Sequence, residues 1–142
     1  MVPDHVAVFA TTIILLPMLY LLLAAPAFLL VRLDVRQVGQ LLRVMFNGYF
    51  LALIATSAVG TLAVAAEGRF AVALGIGAIV ALTVAWRRWF LRHMDAWLLT
   101  SDAGDPGAAH QLRRLHWGGM LGNAVQIAVV LAAIPHIAVV PA

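Results

Sequence analysis

Four long apolar stretches, each free of charged residues through its centre and joined by short arginine-bearing segments, constrain this chain more than any other feature. They lie at about residues 6–31, 44–66, 70–89 and 116–140. A bilayer core about 30 Å thick needs about 20 apolar residues in a helix. Lipid admits only helices or closed barrels, because every backbone polar group must find its partner inside the protein. Continuous apolar runs, rather than alternation, select helices here. Composition agrees: 64% of residues are hydrophobic and 11% charged, with mean hydropathy +1.01. A soluble domain carries about a quarter charged residues, and a body this small cannot hide so much apolar surface. A soluble globule and a disordered chain are excluded. Cysteine is absent, so there is no disulfide framework, thiolate metal site or cysteine nucleophile. The expected fold is an all-α membrane protein, a four-transmembrane-helix bundle. It forms one integral membrane domain over 1–142, with helices at about 6–31, 44–66, 70–97 and 110–140.

The first stretch opens without a positive n-region and continues past Ala24–Ala27 to Val31. It is too long for a signal-peptide core and reads as a retained helix. Orientation follows from arginine. The chain has no lysine and nine arginines. Arg32, Arg36 and Arg43 follow the first stretch, and Arg87, Arg88, Arg92, Arg113 and Arg114 flank the third loop. Arg69, in the short Glu67–Gly68–Arg69 turn, is alone on the other side. The positive-inside rule makes the eight-arginine side cytoplasmic, so both termini are expected to be non-cytoplasmic. The arginine-only, alanine- and valine-rich composition suggests a GC-rich bacterial genome, hence a bacterial inner membrane with periplasmic termini. The net charge of +3 reads as membrane orientation, not as a nucleic-acid surface.

Trp86, Phe90, His93 and Trp97 recur at i, i+4, i+7 and i+11, one helical face. With Trp117 and the flanking arginines they read first as an aromatic belt at the cytoplasmic boundary. Pro17 and Pro26 each remove a backbone hydrogen bond from the first helix and are expected to kink it. Gly118, Gly119 and Gly122 give the fourth helix a smooth patch, as Ala73, Gly75, Gly77 and Ala81 do for the third. Small residues let helices approach closely in lipid; the patches suit tight packing within the bundle or a homo-oligomer face. Thr100–Gly107 has the turn chemistry of a loop, with Asp105 placed to cap the following helix.

Polar residues inside a membrane are costly and are functional candidates. His116, Asn123 and Gln126, spaced i, i+7, i+10, form one stripe. Asn47 and Tyr49 follow Arg43 at the cytoplasmic end of the second helix, and Thr56, Ser57 and Thr61 lie deeper. In an antiparallel bundle Arg43, Asn47, His116 and Asn123 are expected at one level. The cluster reads either as interhelical hydrogen bonding, worth about 0.6 kcal/mol per bond, or as a pocket between the second and fourth helices. Asn47, Tyr49, Gln126 and Trp117 would then bind a quinone-like or polycyclic head group. His5 and His136 map to opposite ends of the chain but to one side of the membrane, and as neighbours they could hold haem or a metal. Solvated interfacial histidines are the plainer reading. The sequence places no carboxylate deep in a membrane stretch, with Asp34, Asp95, Asp102 and Asp105 in loops or at interfaces. That argues against proton pumping, a di-iron carboxylate centre and a zinc protease.

The layout resembles small four-helix membrane families: the cisplatin-resistance-associated transmembrane protein family and the anthrone oxygenases with their bacterial relatives. The residues carrying the resemblance are the early proline-containing helix, Arg43–Val–Met–Phe–Asn–Gly–Tyr–Phe50, and the Gly104–Asp105 loop. Arg114–Leu–His116, followed by Asn123–Ala–Val–Gln126, completes it. The anthrone branch implies cofactor-poor oxygenation of a polycyclic phenol. His116 would then remove a substrate proton, and Asn123 or Arg43 would stabilise the oxyanion. Two functions therefore stand as expectations. One is a small inner-membrane binding or accessory protein, alone, as a homo-oligomer or in a larger membrane complex. The other is an oxidoreductase or oxygenase acting on a lipophilic aromatic or quinone-like substrate, with haem, a quinone or no cofactor.

Overall fold

The computed structural model describes residues 2–33, 35–137 and 139–140. Four helices account for most of them: α1 (His5–Ala24), α2 (Arg36–Ala66), α3 (Phe70–Asp102) and α4 (Ala108–Ile137). All four are long and apolar enough to cross a membrane. A two-residue antiparallel pairing of Val2–Pro3 with Val139–Val140 ties the two chain ends together. The helices run up and down in sequence order. α1 packs beside α2 and α4, and α3 beside the same two. α2 and α4 therefore sit on one diagonal of a four-cornered bundle.

Helix ends follow local chemistry. Asp4 caps α1 by accepting from the Ala7 N–H at 2.9 Å. Pro17 is accommodated inside α1, whereas at Pro26 the α-helix gives way to a 3-10 turn over Ala25–Leu29. The first stretch is thus a helix plus a tighter turn, not one helix to Val31. Proline cannot donate to the ladder and is well suited to opening a new turn. The Arg113 guanidinium donates to the carbonyls of Leu29 and Val31 at 3.0 and 3.4 Å, closing that turn. Gly68 (φ 76°) and Gly104 (φ 87°) supply the left-handed turns after α2 and α3. The Asp105 carboxylate accepts from the Gly107 N–H at 2.7 Å, a turn bond ahead of α4 and not the expected cap: the Gly107 carbonyl takes the first helical bond, from Gln111 at 3.2 Å.

α2 and α3 extend beyond their apolar stretches. At 1.5 Å per residue they are about 46 and 50 Å long, against a bilayer core of about 30 Å. Their overhangs lie together at the arginine-rich end and are joined by a polar ladder. Arg36 pairs with Asp102 at 3.4 Å, and Arg43 forks onto Asp95, with Nη2 to Oδ2 at 2.9 Å. Arg87 donates twice to Asn47 Oδ1, at 2.7 and 3.1 Å. This ladder is why Arg36, Arg43 and Asp102 are helical rather than loop residues; Asp34 lies outside the described residues. At the other end Arg69 bonds the Asp4 carboxylate and, at 2.7 Å, the Ile137 carbonyl. The lone arginine of that side thus joins the start of α1, the α2–α3 turn and the end of α4. α4 stops at Ile137 rather than running to 140, because Val139–Val140 pair with Val2–Pro3.

The centre of the bundle is aromatic. Phe46 and Phe90 are fully buried with ring centroids 4.6 Å apart, and Phe50 stands against both at 6.4 and 5.6 Å. Gly119 lets α4 approach this cluster: a Cβ there would stand 2.7 Å from Phe46 Cε1 and 3.0 Å from Phe90 Cε2.

Candidate functional site

A cleft of about 800 Å3 lies between α3 and α4. Its origin is visible in the sequence of α4. Gly118 and Gly122 put no side chain on this face, and a Cβ would meet nothing within 4 Å at Gly118 and only Trp86 Cζ2, at 3.8 Å, at Gly122. α3 forms the other wall with Leu82, Ala85, Trp86 and Trp89. The two indoles are about half exposed, and their ring centroids are 5.4 Å apart. His93 continues the stack at 4.3 Å from Trp89. The face read as an aromatic belt is therefore split: Phe90 turns into the core, and Trp86 lines the cleft mouth together with Trp89, which stands outside that face.

The base of the cleft is polar. Tyr49 reaches across the diagonal from α2, and its hydroxyl stands 2.9 Å from Asn123 Oδ1 and 3.0 Å from Gln126 Oε1. Asn123 Nδ2 donates to the Met18 carbonyl of α1 at 2.8 Å. Tyr49 and Asn123 are 4% and 2% exposed. Three helices thus meet in one hydrogen-bonded cluster, walled by apolar side chains and opening sideways. In lipid such groups need partners, because water is not there to supply them.

The sequence-selected residues divide among five places. Tyr49, Asn123 and Gln126 come together at the cleft. Arg43 and Asn47 do not join them: both are engaged with α3, through Asp95 and Arg87. His116 lies in a closed box, fully buried between the rings of Phe28, at 6.3 Å, and Phe46, at 5.7 Å. The Ala25 backbone lies near its ring, yet neither ring nitrogen has a hydrogen-bond partner of proper geometry. It does not line the cleft. Trp117 is exposed and borders a smaller apolar groove between α1 and α4. His5 and His136 share the Arg69 end of the bundle, both exposed, with no ring contact or hydrogen bond between them. Among the described residues no group of three or more His, Asp or Glu side chains is gathered to hold a metal. Of the deeper hydroxyls, Thr56 and Thr61 bond back to their own helix, while buried Ser57 has no partner.

Two features of the site escape sequence reasoning. The Met18 carbonyl carries no signal, since any backbone offers one. The cleft's position between α3 and α4, instead of α2 and α4, depends on helix order around the bundle. The three glycines and the Trp86–Trp89 pair were the available signal. No protein-family model, curated protein or solved structure matches the chain.

Proposed function

We propose that this chain is a small membrane-embedded binding protein that takes a flat lipophilic molecule with a polar head from the bilayer into the α3–α4 cleft. The observation that carries the reading is the joining of two surfaces in one cavity. Paired indoles, Trp86 and Trp89, form a stacking wall, and the Tyr49–Asn123–Gln126 cluster forms a polar base. Ligand sites are concave, mostly apolar, about 300–1,000 Å3, with a few polar groups that fix orientation. Aromatic walls favour a planar ring system, so a quinone-like or polycyclic head group suits the cleft. The lateral opening supports entry from lipid. An enzymatic reading, oxidation or oxygenation of the same class of molecule with His116 as base, has less support, because His116 is sealed away from the cleft and Arg43 is held by Asp95.

The orientation proposed is that of a bacterial inner-membrane protein with both termini outside, supported by the eight arginines at one end of the helices. The cleft mouth at Trp86 and Trp89 then lies in the cytoplasmic leaflet. A phosphatase reporter fused after the last residue is expected to be active in the periplasm; activity of a cytoplasmic reporter there overturns the orientation.

The binding test compares the wild-type protein with a Gly118→Leu/Gly122→Leu variant, both purified in mild detergent. Leucine at these two open positions fills the cleft without striking the core. A lipophilic aromatic species, seen by absorption spectrum and mass spectrometry of the extract, is expected with wild type and depleted in the variant. Equal amounts in both, or none in either, refute the proposal.

A further inference from the structure

We infer that the cleft selects a ligand that donates a hydrogen bond, a phenol or hydroquinone hydroxyl, over its carbonyl or ether counterpart, and that Gln126 Oε1 is the acceptor. The inference rests on the binding reading above and comes from counting hydrogens in the cluster. The Tyr49 hydroxyl has one proton and two amide neighbours, Asn123 at 2.9 Å and Gln126 at 3.0 Å. The orientation of Asn123 is fixed. Its nitrogen must face the Met18 carbonyl, 2.8 Å away, because an oxygen there would set two acceptors against each other. Asn123 Oδ1 therefore faces Tyr49 and needs the proton. Giving the proton to Gln126 instead would leave Asn123 Oδ1, in a residue 2% exposed, against a phenol lone pair.

Both contacts are satisfied only if Gln126 donates to the Tyr49 oxygen. The hydrogen count thus places Nε2, not Oε1, on the phenol oxygen, a half-turn of an amide whose two ends have the same shape. Oε1 then takes the outer position, where the Gln126 amide meets no partner among the described residues, and Gln126 lines the cleft. An amide carbonyl bare to hydrocarbon is unfavourable, and a ligand hydroxyl relieves it. A quinone carbonyl or an aryl ether brings only acceptors and leaves Oε1 bare. Sites built to hydrogen-bond a hydroxyl discriminate strongly against analogues without one.

The test uses two probes of the same shape, hydroxypyrene and methoxypyrene, at equal mole fractions in lipid nanodiscs holding the full chain. Energy transfer from the protein's tryptophans, two of which wall the cleft, reads binding. Hydroxypyrene is expected to bind about tenfold more tightly, a difference of about 1.4 kcal/mol. Gln126→Leu is expected to lower its affinity to that of methoxypyrene while leaving methoxypyrene unchanged. Equal affinities in wild type, tighter binding of the ether, or a preference that persists in Gln126→Leu overturns the donor rule and leaves the binding reading standing. Binding of neither probe overturns both. The wild-type comparison decides the matter even if Gln126→Leu does not fold.

Discussion

Two adjacent glycines on α4 differ only in what they face, and exchanging each for alanine tests the packing described above. At Gly119 a Cβ would stand 2.7 and 2.8 Å from Phe46 Cε1 and Cζ and 3.0 Å from Phe90 Cε2. Carbon atoms in good contact sit about 3.5–4.0 Å apart, so a ring must move by most of an ångström. Neither ring has room. Phe46 and Phe90 are fully buried and 4.6 Å apart at their centroids, with Phe50 and His116 behind Phe46. Overpacking of this kind costs about 1–3 kcal/mol, and alanine returns about 0.5–1 kcal/mol of helix stability over glycine. The net expectation for Gly119→Ala is a loss of about 0–2.5 kcal/mol, which leaves it about 1–3 kcal/mol below Gly118→Ala. At Gly118 a Cβ meets nothing within 4 Å, so only the second contribution acts, and Gly118→Ala should gain about 0.5–1 kcal/mol. Unfolding by SDS titration in mixed micelles, followed by far-ultraviolet circular dichroism, measures both. The reasoning is refuted if Gly119→Ala is as stable as Gly118→Ala, because the aromatic centre would then not be packed against α4.

Two further expectations concern groups outside the cleft. The Ala7 N–H first, and then Arg69, hold the Asp4 carboxyl below its ordinary pKa of 3.8, against the opposing effect of burial. A group depressed in the folded state stabilises fully above its unfolded value and loses that contribution as pH falls through its folded value. The thermal midpoint is therefore expected to hold down to about pH 4 and to fall below it; in Asp4→Asn it should start lower, and the share of the fall due to Asp4 should vanish. An unchanged acid profile in Asp4→Asn would remove the clamp at this end from the stability account. His116→Leu replaces two buried nitrogens that lack partners with apolar surface of similar bulk. Unpaired buried polar groups cost about 1–3 kcal/mol, so the variant should gain about 1 kcal/mol in the same SDS titration. A comparable loss would mean that the ring has a partner in the folded protein.

Much of the helical architecture is legible in the sequence, and the reasons are local. Charge-free runs of 17 or more residues need only their own backbones to span lipid, so α1 to α4 are visible before any packing is known. The Asp105 turn and the Glu67–Arg69 turn are equally local. Helix ends are less legible where distant partners decide them. α2 starts at Arg36 instead of near residue 44 because its polar first turns meet Asp102, Asp95 and Arg87 on α3. α4 stops at Ile137 because Val139–Val140 pair with Val2–Pro3 at the start of the chain. The candidate site is half legible. The i, i+7, i+10 stripe marked Asn123 and Gln126, and proximity in sequence suggested Tyr49. The same reasoning grouped Arg43, Asn47 and His116 with them, since residues at one depth in an antiparallel bundle look alike until each helix's rotation is known.

The sequence by itself determines that this chain makes four membrane-length helices, and it marks one end with eight arginines, because hydropathy and charge act residue by residue. Tertiary structure alone decides which polar residues meet. Helix order sets α2 and α4 on a diagonal, and helix rotation turns Tyr49 toward Asn123 while sealing His116 among phenylalanines. Glycines at 118 and 122 become a cleft only because Trp86 and Trp89 stand opposite them. Each of these outcomes depends on the angle and spacing between helices, which are set by side-chain packing across the bundle and not by any one segment.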